Sequence, residues 1–208
     1  MPRAKKELQD ETNQHTRQRL LDAAAQEFAR SGFRGANINS ISIAAGFAKG
    51  TVYNYFPSKQ ALLVALVEAT AQRHLDYIAE RVRAEADPVR RLEAFYQAGF
   101  DFVPSHLPQA RVMFNTINDP DEPLRARVYE CYRPLFSLLA SEVLAPGMAQ
   151  GTFRAADLQP LCNLLMTIYL GIASQVDGTG RPYLDPRHVS GLVLHGLLAS
   201  KENEHGGD

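Results

Sequence analysis

Apolar residues recur along this chain at intervals of three and four, the spacing that gathers them on one face of a helix. Leu20, Leu21, Ala24 and Phe28 form the first such stripe, running from about Thr16 until Ser31-Gly32 stops it. A short helix is predicted from Ile38 to Ala45, with Asn37 as its N-cap. Gly46 supplies a turn, a second short helix covers about Lys49 to Phe56, and Pro57 ends it. Ser58 then caps a long helix whose stripe includes Leu62, Leu66 and Ala69 and which continues to about Arg83. Asp87-Pro88 opens another, the aspartate as cap and the proline at the first helical position. Helical stretches follow near 88–103, 107–117, 121–149, 157–176 and 186–200, separated by proline- and glycine-bearing breaks. No sustained alternation with a period of two appears, so the pattern predicts an all-α protein with essentially no sheet. There is no internal repeat. Residues 1–12 and 202–208 are polar and read as disordered ends.

Composition narrows the class. With 208 residues, 45% hydrophobic and 22% charged, the chain has the make-up of a soluble globular protein. Two cysteines, Cys131 and Cys162, make no disulfide framework. The start has no signal-peptide pattern, and the most apolar run, Leu161 to Val176, is interrupted by Asn163, Thr167, Ser174 and Gln175. A cytoplasmic protein without a membrane partner is expected. The net charge of −1 hides an asymmetry: residues 1–60 hold nine Lys or Arg against five Asp or Glu, and the remainder is acidic. A basic end suits contact with phosphates, although an excess of this size is also an ordinary solvated surface.

The most informative stretch runs from Asn37 to Lys59, NINSISIAAGFAKGTVYNYFPSK. Ile38, Ile41, Ala45, Val52 and Phe56 can face inward, against the helices that carry Phe28 and Leu62. Two helices this short do not persist in water alone, so they must dock. Lys49, Gly50, Thr51, Tyr53, Asn54 and Tyr55 then remain outward. That face offers a cation, an amide, hydroxyls and close backbone approach, the chemistry that meets DNA phosphates and base edges.

These residues resemble the head of the tetracycline-repressor (TetR) family, whose pattern runs roughly I-A-x-x-A-G-V-S-x-G-T-x-Y-x-Y-F-x-S-K-x-x-L. The chain supplies Ile41, Ala45-Gly46, Gly50-Thr51, Tyr53, Tyr55-Phe56, Ser58-Lys59 and Leu62, and upstream Phe28 with Gly32-Phe33. The resemblance covers about Thr16 to Leu63. Three positions depart from it: Ser42 for the usual alanine, Phe47 for a smaller aliphatic residue, and Ala48 for the serine that caps the recognition helix. Ser42 is expected to bond back to a carbonyl, and the loss at Ala48 to cost about 1 kcal/mol. The resemblance implies that Asn37 marks a helix N-terminus presented to a phosphate. It likewise puts Lys49, Gly50 and Thr51 at the base-reading end of the recognition helix. Tyr53 and Tyr55 would grip phosphates, with Asn54 on the same face, and Lys59 would pair with another phosphate. Tyr53 as core, Lys59 as a plain surface lysine, and Arg3, Lys5 and Lys6 as a solvated tail or a groove-reaching arm are the alternatives left open.

For the rest of the chain the family implies a helical body that senses a ligand and dimerises. The residues themselves show an aromatic concentration. Phe95, Phe100, Met113, Phe114, Tyr132, Phe136, Met166 and Tyr169 are candidates to line an apolar pocket, oriented by groups such as His106, Arg111, Asn115 or Gln175. The same aromatics would equally well fill a core. Leu165, Ile168 and Ile172 in one helix and Val193 and Leu197 in the next are the candidate dimer interface, or else buried helices of a monomer. No nucleophile, phosphate-loop, dinucleotide or zinc signature appears, so no enzyme, cofactor or metal is expected. His188 and His195 share a helix face but lack a third ligand, and the cysteines read as inert thiols rather than redox sensors.

The reading is therefore an N-terminal three-helix helix-turn-helix head (residues 1–60, with 1–12 disordered) and a linking helix (61–83). A helical ligand-binding and dimerisation domain (84–201) and a tail (202–208) complete it. The implied function is a homodimeric repressor that leaves a palindromic double-stranded operator when a small apolar or aromatic effector binds. An activator, or a helical small-molecule-binding protein or enzyme, is the alternative.

Overall fold

A computed structural model describes the backbone over residues 2–198, and side chains from residue 11 onward. The side chains of Arg3, Lys5 and Lys6 and the tail 202–208 lie outside the described residues. Helices follow one another: α1 (Pro2–Gly35), α2 (Ile38–Ala44), a 3-10 turn (Thr51–Asn54), α3 (Lys59–Arg83), α4 (Pro88–Ser105) and α5 (Leu107–Ile117). Then come α6 (Glu122–Leu138), a π-helical segment (Leu139–Leu144), α7 (Ala145–Ala149), α8 (Leu158–Ala173) and α9 (Pro186–Leu197). Among the described residues extended pairing is confined to two isolated bridges, Phe153 with Leu198 and Val176 with Pro182. None of the described helices is long and apolar enough to cross a membrane.

The chain divides into two compact units. The first joins Met1–Gln72 to His106–Cys131, so α5 and the start of α6 pack with the head although the sequence suggested they belonged to the body. Its core is the predicted stripe of α1 (Leu20, Leu21, Ala24, Phe28) with Ile41, Val52, Phe56, Leu62 and Leu66, all buried. α1 starts earlier than Thr16 because residues 4–12 are mostly Ala, Lys, Glu, Leu and Gln, good helix formers. It breaks where expected, at Gly32, whose φ of 67° is open to glycine and strained for most other residues. The start of α3 is capped by Ser58 Oγ, which accepts the Ala61 N–H at 3.0 Å.

The second unit comprises Arg73–Ser105 and Tyr132–Asp208. α4 is its central helix: Asp87 caps it by accepting the Arg90 N–H at 3.0 Å, and Leu92, Phe95, Tyr96, Phe100, Phe102 and Val103 are all buried. α8 and α9 start on caps of the same kind, Asp157 and Asp185. The single helix predicted over 121–149 instead widens into the π segment. Within it Glu142 receives two bonds from Arg83, at 2.9 and 2.7 Å, while Arg91 Nη1 donates to the Glu142 carbonyl at 3.0 Å. Those cations hold the Glu142 carboxyl below the usual carboxylate range, the Arg83 bond chief among the causes.

Candidate nucleic-acid interface

Within the first unit, α2 and the 3-10 turn form a helix-turn-helix. α2 is capped as its sequence suggests, with Asn37 Oδ1 accepting from the Asn39 N–H at 2.9 Å and the Ser40 N–H at 3.4 Å. Those amides are thus engaged internally rather than held open for a phosphate. The connection uses two glycines with φ of 80°, Gly46 and Gly50. Gly50 in that conformation also explains why the helix predicted from Lys49 starts only at Thr51, since an α-helix cannot run through it; the helix covers Thr51–Asn54 rather than 49–56. Val52 and Phe56 point inward, and Lys49, Tyr53 and Asn54 are exposed, Tyr53 at 53%. Gly50, Thr51 and Tyr55 are half-buried beside them. The core alternative for Tyr53 is thereby removed.

Three contacts hold this arrangement, and sequence alone does not reveal them. Ser42, fully buried, accepts the Val52 N–H through Oγ at 3.2 Å, bridging α2 to the turn rather than bonding back within its helix. The buried Glu27 accepts the Asn37 N–H at 3.1 Å through one carboxylate oxygen and an Arg30 bond through the other. Those two bonds, Arg30's first, hold its carboxyl below the usual range. Lys59 stands at the start of α3 as expected, but its ammonium turns inward. It donates to the carbonyls of Arg34 at 2.9 Å and Ala36 at 3.2 Å and lies 5.2 Å from the centre of the Phe33 ring. The C-terminal end of α1 leaves carbonyls that need donors, and the lysine stem reaches them before it reaches solvent. Two exposed cations flank the motif: Arg17 sits over the Phe56 ring at 5.2 Å and Arg19 over Phe47 at 4.8 Å.

In the second unit the candidate pocket residues separate into two groups. Tyr132 and Tyr169 gather around His74 with Phe102, and Phe95, Tyr96 and Phe100 gather around Tyr169, ring centres 4.5–6.2 Å apart, and Met166 is buried. Met113 and Phe114 lie on α5 in the other unit, and Phe136 is only half-buried. Arg111, Asn115 and Gln175 are exposed. The polar member of the cluster is His74, whose Nε2 lies 3.0 Å from Tyr169 Oη, and Tyr96 Oη donates to the Leu165 carbonyl at 3.1 Å. Burial pushes the Tyr96 and Tyr169 hydroxyls well above their ordinary value. Gly99 makes room for Tyr169, since a Cβ there would sit 2.5 Å from its ring.

The interface candidates need correction. Leu165, Val193 and Leu197 are buried within the chain's own core, at 3%, 9% and 5% exposure, and cannot meet a partner. Neighbours on the same helices can: Leu164 is 57% and Leu192 75% exposed, with Ile168 and Ile172 half-buried. Cys162 is buried with Sγ 3.5 Å from the Phe136 carbonyl, and burial pushes both thiols up. His188 and His195 are exposed, and among the described residues no three His, Cys, Asp or Glu gather to hold a metal.

A profile of the family described as "Bacterial regulatory proteins, tetR family" matches residues 20–66. The chain is 27% identical over 139 residues to the HTH-type transcriptional repressor KstR2 of Mycobacterium tuberculosis, covering 65% of this chain and 68% of that one. Among solved structures, the fatty acid degradation regulator FadR of Bacillus halodurans superposes with a TM-score of 0.75 at 24% identity, over 86% of this chain and 98% of that one. The transcriptional regulator FadR of Bacillus subtilis, in complex with stearoyl-CoA, also gives 0.75, at 20% identity over 86% and 95% of the respective chains.

Proposed function

Because the chain belongs to the TetR family of DNA-binding transcriptional regulators, and is not an enzyme, we propose that it is a dimeric repressor whose grip on a palindromic operator is loosened by an apolar small molecule. The observation that carries the reading is the exposed Lys49–Tyr53–Asn54 face, backed by the buried Val52 and Phe56. A cation, a phenol and an amide on one rigid turn can meet phosphates and base edges of a major groove together. Lys49, Gly50, Thr51, Tyr53, Asn54 and Tyr55 are the contact set, with Arg17 and Arg19 as flanking cations. Lys59 leaves that set, because its ammonium is spent inside the head.

Pairing of two copies rests on the exposed Leu164 and Leu192 with Ile168 and Ile172, spaced to share a face where they lie on α8. Large apolar side chains left in water on two helices are what a helical bundle between subunits would cover. Two heads would then address two half-sites one helical turn apart. The effector site rests on the His74–Tyr169 pair inside the aromatic cluster, a buried polar anchor in an apolar setting. An acyl or aromatic ligand fits that chemistry, and the stearoyl-CoA held by the Bacillus subtilis relative is of the acyl kind. Repression follows the KstR2 relative, a repressor.

The test has two stages. Selection from a random duplex pool should enrich a palindrome, bound in a salt-dependent way. Stearoyl-CoA and free fatty acids are then titrated calorimetrically with and without that duplex. Coupling is reciprocal, so DNA must weaken ligand binding by the factor by which ligand weakens DNA binding. Failure to enrich any duplex sinks the DNA reading; equal ligand affinities in both titrations sink the release mechanism.

A further inference from the structure

We propose that Ser42 acts as the cap of the recognition turn from outside it, and that this oxygen on α2 positions the DNA-facing residues. The three amides that open the turn are each accounted for. The Thr51 N–H bonds the Ala48 carbonyl at 3.1 Å, the Tyr53 N–H bonds the Gly50 carbonyl at 3.0 Å, and the Val52 N–H bonds Ser42 Oγ at 3.2 Å. Val52 holds the second position of the turn, whose amide is ordinarily taken by a side-chain oxygen just before the first helical residue. No such oxygen exists in the sequence there: Phe47, Ala48, Lys49 and Gly50 supply a ring, a methyl, a cation and a hydrogen. Ser42 fills the role across the bend.

The site is dry. Ser42 and Val52 are 0% and 1% exposed, so water is not at hand to replace a lost acceptor. Ser42 also holds the other end of the bend, its carbonyl accepting the Phe47 N–H at 2.9 Å. One residue thereby grips the segment at Phe47 and at Val52, the two ends of the stretch carrying Lys49, Gly50 and Thr51. Val52 immediately precedes Tyr53 and Asn54, so the direction of its amide sets the direction of theirs. Ser42 touches no DNA in this scheme; it is a positioning residue, and its importance for DNA binding rests on the contact set proposed above.

The experiment compares Ser42→Ala, Ser42→Thr and Ser42→Val. Threonine and valine have the same shape, and only threonine offers the oxygen. Two quantities are read well below the melting transition: amide exchange at Val52, and affinity for the duplex enriched by the parent chain. Ser42→Ala and Ser42→Val should exchange Val52 faster and bind about tenfold more weakly, the order expected when a buried donor loses its acceptor. Ser42→Thr should stay near the parent in both. If the added methyl prevents folding of the threonine and valine variants, alanine against the parent decides. Parent-like affinity in a folded Ser42→Ala protein overturns the positioning role, even if the protein melts earlier. Unchanged Val52 exchange, or equal behaviour of threonine and valine, overturns the cap. If no duplex is enriched, the DNA reading has failed, while the exchange experiment still tests the cap.

Discussion

Replacing Lys59 with alanine tests whether its ammonium belongs to the fold or to DNA. In the structure Nζ donates to two carbonyls at the end of α1, at 2.9 and 3.2 Å, and sits over Phe33 at 5.2 Å. The site is only half-buried, so each charge-assisted bond is discounted to the low end, about 1 kcal/mol, and the ring contact adds about 0.5 kcal/mol. Some of this is recovered as water reaches the freed carbonyls, leaving a net loss of roughly 1–2 kcal/mol. For a chain of this size that lowers the melting temperature by about 2–8 °C. A phosphate contact would behave differently. Its loss would leave melting alone and flatten the dependence of log affinity on log salt by about 0.9. Two of the ammonium's three donors are engaged inside, so the slope should change by less than about half a unit. Scanning calorimetry and binding titrations across a salt series measure both numbers on one preparation. Unchanged melting with a slope reduced by a full unit would refute the inward placement.

Lys49→Ala and Tyr53→Ala alter exposed side chains, so both should weaken duplex binding while the melting temperature holds, and the lysine variant should flatten the salt slope by about 0.9; loss of binding with an equal loss of stability would count against the contact set. Glutamate at Leu164 or Leu192 should give monomers in equilibrium sedimentation, whereas Leu165→Ala should keep the dimer and lose about 2–5 kcal/mol of stability as a core cavity forms; dimers in both glutamate variants would remove these faces from the interface. Glu27 carries a lowered folded pKa, so its stabilisation is present above the unfolded value of about 4.3 and is lost as pH falls through the lower folded value. Glu27→Gln should accordingly melt earlier at neutral pH and show a shallower decline than the parent between about pH 5 and 3; parallel melting curves would show that the carboxylate contributes no such linkage.

What could be read in the sequence was what depends on near neighbours. Asn37, Ser58, Asp87, and the break at Gly32 all act within four residues of themselves, and each is found where the pattern put it. The contacts that escaped are tertiary. Glu27 meets Asn37 ten residues away, Lys59 meets Arg34 twenty-five away, and His74 meets Tyr169 ninety-five away. No local spacing reports those meetings. Leu165 was misplaced among the interface candidates for another reason: α8 is apolar over most of its circumference, so hydrophobicity fixes no rotational phase. Leu164 and Leu165 differ by one step of about 100°, which separates water from core. The π segment likewise has no residue that announces it.

Because the oxygen that caps the recognition turn lies on α2, the side chains of Ala48 and Lys49 have no share in capping that turn, to which Ala48 lends only its backbone carbonyl. Capping and reading are ordinarily duties of the same few residues, and a change that alters one disturbs the other. Here they are divided between two helices. Duplicated copies of such a gene could diverge in operator preference through substitutions at 48 and 49 alone, each copy remaining folded at every step. Ser42 would be the fixed point of that drift.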